Sequence, residues 1–209
     1  SVASRGLGDV YKRQDQAVTN RPGSRFGPRA IREASTLQPC DAPFGWDINP
    51  LLDFDIVDYG DLAFDYANVA AFPKRLTDHI RGILEHGSGV LSFGGDHYVT
   101  FPILRAFVEK FGPIALVHFD AHSDTWPDDD MERIDHGTMF YKALKEELII
   151  PDKSVQIGIR THNDFNAGVH VIAAPQVHSQ TPSMTASQIK DIVGNHPVYL
   201  TFDLSLIHI

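Results

Sequence analysis

Two carboxylates and an imidazole stand at alternate positions, Asp120, His122 and Asp124, directly after the apolar run IALVHF at 114–119. In extended backbone, side chains at i, i+2 and i+4 share one side of the chain, each within ~7 Å of the next. Two carboxylates that close are costly to bury unless cations neutralise them. Mixed oxygen and nitrogen donors suit a divalent ion such as Mn2+, and a single cysteine, Cys40, rules out a thiolate-built structural zinc site. Two more strand-like runs end in the same residue types. GVLSF at 89–93 leads into Gly94, Gly95, Asp96 and His97, and VYLTF at 198–202 leads into Asp203. A pair of ions shared by His97, Asp120, His122, Asp124 and Asp203 could turn water into hydroxide and hold an electrophilic atom beside it. His118, inside the apolar run, reads as a packing or supporting histidine.

Such a constellation needs strands that end together. The run at 114–119 is nearly all apolar, as expected of a strand covered on both faces of a parallel sheet. Strands are also expected at 54–58, 89–93, 155–159, 169–172 and 198–202. Helical spacing follows Pro73, with Leu76, Ile80, Ile83 and Leu84 before Gly87, and recurs at Val99, Ile103, Phe107 and Val108 and at Ile189, Ile192 and Val193. A Gly/Pro/Arg loop at 19–32 enters a helix near Pro28. Strands alternating with helices predict an α/β domain with a mainly parallel sheet, whose ligands sit beyond the carboxyl ends of the strands. Asp128, Asp129 and Asp130 follow Pro127 and read as a solvated acidic face.

Composition narrows the class. The chain has 209 residues and a net charge of −9, which argues against a nucleic-acid backbone or an anionic membrane as the main partner. No apolar run approaches the ~18 residues that span a bilayer. A lone cysteine excludes an internal disulfide framework and fits a reducing compartment, so a cytoplasmic location is expected.

The two ends carry a separate signal. Residues 9–14 read DVYKRQ and residues 204–209 read LSLIHI. With suitable codons, the DNA for the first is the reverse complement of the DNA for the second, and both resemble a sequencing-library adapter. Residues 1–14 and 204–209 are therefore expected to be non-native, leaving 15–203 as a partial, C-terminally truncated domain.

GGDH at 94–97, FDAHSD at 119–124, DHGT at 135–138 and LTFD at 200–203 resemble, in order, the motifs of the ureohydrolases, the arginase and agmatinase family. RPGSRFGPRAIR at 21–32 is similar to that family's N-terminal substrate-side segment, and the overall likeness is strongest to bacterial agmatinases. The resemblance implies a three-layer α/β/α arginase-like fold and two Mn2+ per subunit. It implies that His97 binds one ion, His122 the other, and that Asp120 and Asp203 bridge them. Asp124 would bind the first ion and orient the nucleophile, while His136 would shuttle a proton or contact substrate. The implied reaction is hydrolysis of a small cationic guanidino substrate to urea and an amine, agmatine to putrescine first. Guanidinobutyrate, guanidinopropionate or arginine is the alternative substrate, and a non-catalytic metal-binding fragment the alternative class. A deacetylase-like single-zinc pocket would need an adjacent His pair, which the sequence lacks. The family's trimers imply self-association. The family pattern places Asp at position 205, where this chain has Ser205, so the second ion lacks a ligand and the chain as written is expected to be inactive. The same pattern implies that a first strand, further strands and helices, and a downstream acidic residue that grips the guanidinium are missing.

Overall fold

The computed structural model describes residues 5–9, 23–37, 41–63, 65, 67–165 and 167–208. Cys40 and residues 19–22 of the Arg-rich loop lie outside them. The chain divides between Ala106 and Phe107 into two units.

In the first unit, strands β1 (Arg5–Asp9), β2 (Ile56–Asp61) and β3 (Val90–Phe93) form a parallel sheet in the order β2-β1-β3. Helix α1 (Gly27–Ser35) starts at the expected proline, and the short α2 (Pro50–Asp53) is capped by the Asn49 side chain, which accepts from Leu51 N. Helix α3 (Phe72–Glu85) buries Leu76, Ile80, Ile83 and Leu84, the stripe its spacing predicts. It ends where Gly87 turns at φ 76°, a conformation glycine adopts without cost. Thr77 Oγ1 donates to Pro102 O at 2.8 Å and ties α3 to α4 (Thr100–Phe111). Burying a leucine such as Leu76 completely contributes about 1.5–3 kcal/mol. The strand at Arg5–Asp9 corrects the expectation that no strand precedes β2: main-chain pairing on both flanks holds it, and that ladder does not read side chains.

In the second unit, β4 (Ala115–Phe119), β5 (Val155–Ile159), β6 (His170–Ala173) and β7 (Val198–Phe202) form a parallel sheet in the order β6-β5-β4-β7. Helix α5 (Met139–Lys145) lies between β4 and β5 in sequence. The short α6 (Ala174–Ser179) and the longer α7 (Pro182–Val193) separate β6 from β7, and α8 (Ser205–His208) follows β7. Ala115, Val117, Val155, Ile157, Ile172 and Val193 form the core, with Ile189 and Ile192 of α7 packed onto it. Thr181 caps α7 by accepting from Met184 N. Strand β4, in the middle of this sheet, is buried along Ala115–His118, and Phe119 pairs with Phe202 of β7. The residues after those two strands, Asp120 and Asp203, are therefore side by side.

Candidate metal centre

The predicted strands place the predicted residues at strand ends, but not by the expected pleat. The chain leaves extended geometry after Phe119. His122 N donates to Asp120 Oδ1 at 3.0 Å, closing a tight side-chain turn, and Asp124 sits at φ 52° in the left-handed region. Convergence of the carboxylates comes from this turn rather than from alternation along a strand. Phe140 N, in the first turn of α5, donates to Asp124 O at 2.9 Å and holds the strained residue in place.

Asp120 and Asp124 are 1% and 4% exposed. Ligating atoms of His118, Asp120 and Asp124 lie within 4.8 Å of one another. His118, fully buried, is fixed in one tautomer by its neighbours. Gln156 Nε2 donates to Ser123 O at 2.6 Å, which requires the amide nitrogen there, and the same nitrogen donates to His118 Nδ1 at 3.1 Å. The imidazole proton is then on Nε2, donated to Asp120 Oδ2 at 2.9 Å. His118 thus braces a carboxylate rather than offering a lone pair to an ion, the supporting role read for it in the sequence. Gln156, the third member of this relay, carries no motif and escaped sequence reading.

His122, 40% exposed in its side chain, approaches Asp120 Oδ1 through Nδ1 at 3.3 Å. Asp203 is tied by its own amide to Phe119 O at 2.9 Å, beside Asp120. Ser205 bridges the two carboxylates: its amide donates to Asp203 Oδ1 at 2.6 Å and its hydroxyl to Asp120 Oδ1 at 2.8 Å. In the first unit, His97 opens the turn His97–Val99, reached from β3 through Gly94, Gly95 and Asp96. Asp96 caps that turn by accepting from Tyr98 N at 2.9 Å, which makes Asp96 a structural residue. At Gly94 a Cβ would stand 2.6 Å from Val99 Cγ2, so any larger residue would force the valine to shift.

His136 begins the turn His136–Thr138, capped by Asp135, whose Oδ1 accepts from Gly137 N at 2.9 Å. Trp126 N donates to Gly137 O at 2.9 Å, so the loop carrying His136 is sewn to the segment two residues past Asp124. The acidic run is divided. Asp129 and Asp130 are exposed as expected, whereas Asp128 turns inward toward Lys142. Ser123 and Thr125 line a cavity of about 190 Å3 with Gln156, Thr161 and Phe165. Asn163 also lines it and donates to Ser123 Oγ at 2.8 Å and Thr125 Oγ1 at 3.0 Å.

Buried carboxylates braced by a neutral imidazole, with hard oxygen and nitrogen donors nearby and no thiolate among them, fit a divalent ion of the Mn2+ kind. Around His122 the fit is poorer: Ser205 contributes a hydroxyl where a carboxylate would be needed, and already engages Asp120 Oδ1.

The fold and these residues together mark a class. Residues 13–208 match the model of the Arginase family, and the chain belongs to that family. Among its relatives, an agmatinase of Chromobacterium violaceum is 51% identical over 191 residues, covering 91% of this chain and 59% of that protein. An agmatinase of Escherichia coli strain SE11 is 46% identical, with 91% and 62% covered. A crystal structure of a hypothetical agmatinase from Burkholderia thailandensis superposes with a TM-score of 0.90 at 43% identity, covering 96% of this chain and 63% of that one. Proclavaminate amidino hydrolase from Streptomyces clavuligerus gives 0.83 at 35% identity, with 96% and 68% covered. The fold is therefore arginase-like, α/β with a parallel sheet, as the sequence predicts. The chain spans about three-fifths of the length of the curated agmatinases it matches.

Proposed function

We propose that the chain carries the metal centre and proton-handling loop of a Mn2+-dependent ureohydrolase whose substrate is agmatine. The observation that carries this reading is the buried Asp120–Asp124 pair, braced by His118, at the end of a parallel strand in an Arginase-family chain. His97, Asp120, His122, Asp124 and Asp203 would hold the metal, which when bound supplies a water acidic enough to act as nucleophile near neutral pH. Asp124 would orient that water by accepting its hydrogen bond at a carboxylate oxygen. Asp120, held by His118, keeps its orientation while charge shifts at the site. His136 would give a proton to the departing amine nitrogen, releasing putrescine and urea. Exposed Asp129, Asp130 and Glu132 favour a substrate whose far end is an amine rather than a carboxylate. Guanidinobutyrate and arginine are the competing substrates, and Arg133 is the cation that could favour them; its bond to Asp135 at 3.0 Å engages it within the loop.

In the same reading residues 15–203 are the native part, the intact protein works as a cytoplasmic trimer, and Ser205 disables the second metal position. No described helix is long and apolar enough to cross a membrane. The test is urea release from agmatine, arginine and 4-guanidinobutyrate with added Mn2+. It compares this chain with a protein in which 15–203 is continued by its gene's own sequence. The continued protein is expected to turn over agmatine fastest and this chain to release no urea. Equal turnover by the two, or preference for a carboxylate-bearing substrate, would sink the reading.

A further inference from the structure

Lys142 is a buried cation among apolar neighbours. It lies on α5 among the buried Met139, Phe140, Tyr141 and Ala143, and its side chain is 0% exposed. Burying an ammonium is expensive unless the charge and its donors are used. Here they are used on the loop between Trp126 and His136. Lys142 Nζ donates to Arg133 O, and it stands 3.7 Å from Asp128 Oδ2. That same carboxylate oxygen is 3.7 Å from Arg133 Nε and is buried without a hydrogen-bond partner. Two cations therefore face one buried oxygen. Asp130 and Asp135 add further negative charge around the ammonium.

At its base the loop is closed by Trp126 N donating to Gly137 O, and several bonds within it are local. Asp128 Oδ1 accepts from Asp130 N at 3.0 Å, Asp130 Oδ1 from Glu132 N at 3.1 Å, and Arg133 Nη2 donates to Asp135 Oδ2 at 3.0 Å. Such turns shape the loop, and the Trp126–Gly137 tie holds its base, but neither fastens its middle. Lys142 does, by fastening its middle to α5. The same helix fastens Asp124 through Phe140 N, so one rigid element sets the loop and the metal-side carboxylate at once.

We propose that Lys142 is a positioning residue: it latches the 126–135 loop to α5 and thereby places His136 and the loop's acidic residues against a cationic guanidino substrate. The inference rests on the ureohydrolase reading for the identity of that substrate, while the latch itself does not. Lys142 contacts neither substrate nor metal in this account. Its effect must therefore show in substrate affinity and not in metal affinity.

The experiment uses the whole chain loaded with Mn2+, with Lys142→Met, Lys142→Arg and Asp128→Asn as variants. Trypsin cleavage after Arg133 is followed by mass, Mn2+ and agmatine affinities by calorimetry. Trp126 emission is read in a Trp46→Phe background, since the chain has two tryptophans. Lys142→Met is expected to speed cleavage after Arg133 about tenfold or more, shift Trp126 emission and weaken agmatine about tenfold, with Mn2+ affinity within twofold of the parent. Lys142→Arg restores part of each loss, and Asp128→Asn gives the same changes to a smaller degree. Unchanged cleavage and emission would overturn the latch. Faster cleavage with unchanged agmatine affinity, or Mn2+ lost in step with agmatine, would overturn its positioning role. If the parent binds Mn2+ but no guanidino compound, the substrate reading fails, and cleavage and emission still decide the latch.

Discussion

Asp124 concentrates two costs that a metal ion would offset, and removing it separates them. Its backbone lies at φ 52°, which a side-chain-bearing residue adopts at a cost of about 1 kcal/mol relative to glycine. Its carboxylate shares a 4.8 Å neighbourhood with that of Asp120. Two like charges 4.8 Å apart repel by about 3.5 kcal/mol at an effective dielectric constant of about 20, and by more at shorter range. Asp124→Asn removes the repulsion and keeps shape and backbone; Asp124→Gly also relieves the φ strain but gives up the buried side chain. Thermal unfolding is followed by circular dichroism, once in EDTA and once with saturating Mn2+. In EDTA the Asn variant is expected to melt above the parent, by roughly 6–12 °C if about 3 kcal/mol is recovered. With Mn2+ at about 100 times its Kd the parent gains about 2.7 kcal/mol, and the Asn variant gains much less. A variant that melts below the parent in EDTA, or that keeps the full Mn2+ response, would refute the claim that this pair is built for a cation.

Three further outcomes follow from the same geometry. Gln156→Leu leaves Ser123 O and His118 Nδ1 without their donor and is expected to cost about 2–4 kcal/mol in urea denaturation, with Mn2+ affinity reduced about tenfold as Asp120 loses its brace. Gly158→Ala is expected to destabilise by about 1–3 kcal/mol in the same assay. Its φ is 92°, and the added methyl would meet Leu206 Cδ1 at 2.3 Å and Asp120 O at 3.2 Å; Leu206→Ala in the same chain recovers part of the loss. The Arg32 guanidinium, 2.7 Å from Asp58, holds that carboxyl below its ordinary 3.8. A lowered folded value means the pair's contribution is present above pH 3.8 and is lost as pH falls through the folded value. Because the pair is half exposed, Arg32→Ala is expected to cost only about 0.2–1 kcal/mol at pH 7, and the difference from the parent vanishes in acid melts.

Much of the architecture was legible because the strands of the second unit are apolar runs bounded by glycine, proline or charge. β5 and β7 match their expected limits to the residue, and α3 and α7 follow their apolar stripes. Helix α5 was not legible. Met139, Phe140, Tyr141, Lys142 and Ala143 are all buried, so the segment has no polar face to set a 3.6-residue period, and its lysine reads as a surface residue. The site shows the same division. Residue types and order singled out His97, Asp120, His122, Asp124 and Asp203 as candidates, because few structural roles call for them after apolar strands, whereas His136 was singled out only by the family resemblance. The left-handed turn at Asp124 was hidden, since nothing in an aspartate's identity announces φ 52°. The Gln156–His118–Asp120 relay was hidden too, because it joins positions 38 residues apart through the β4–β5 pairing. β1 lies in a segment read as non-native rather than as a strand, and it pairs in parallel with both β2 and β3.

The central claim is that Asp120 and Asp124 form the heart of a divalent-cation site, and calorimetric titration of the chain with Mn2+ tests it most directly. The account predicts saturable binding that is lost in Asp120→Asn and Asp124→Asn and retained in Lys142→Met. Absence of binding to the folded chain, or binding that both aspartate variants leave unchanged, would contradict it.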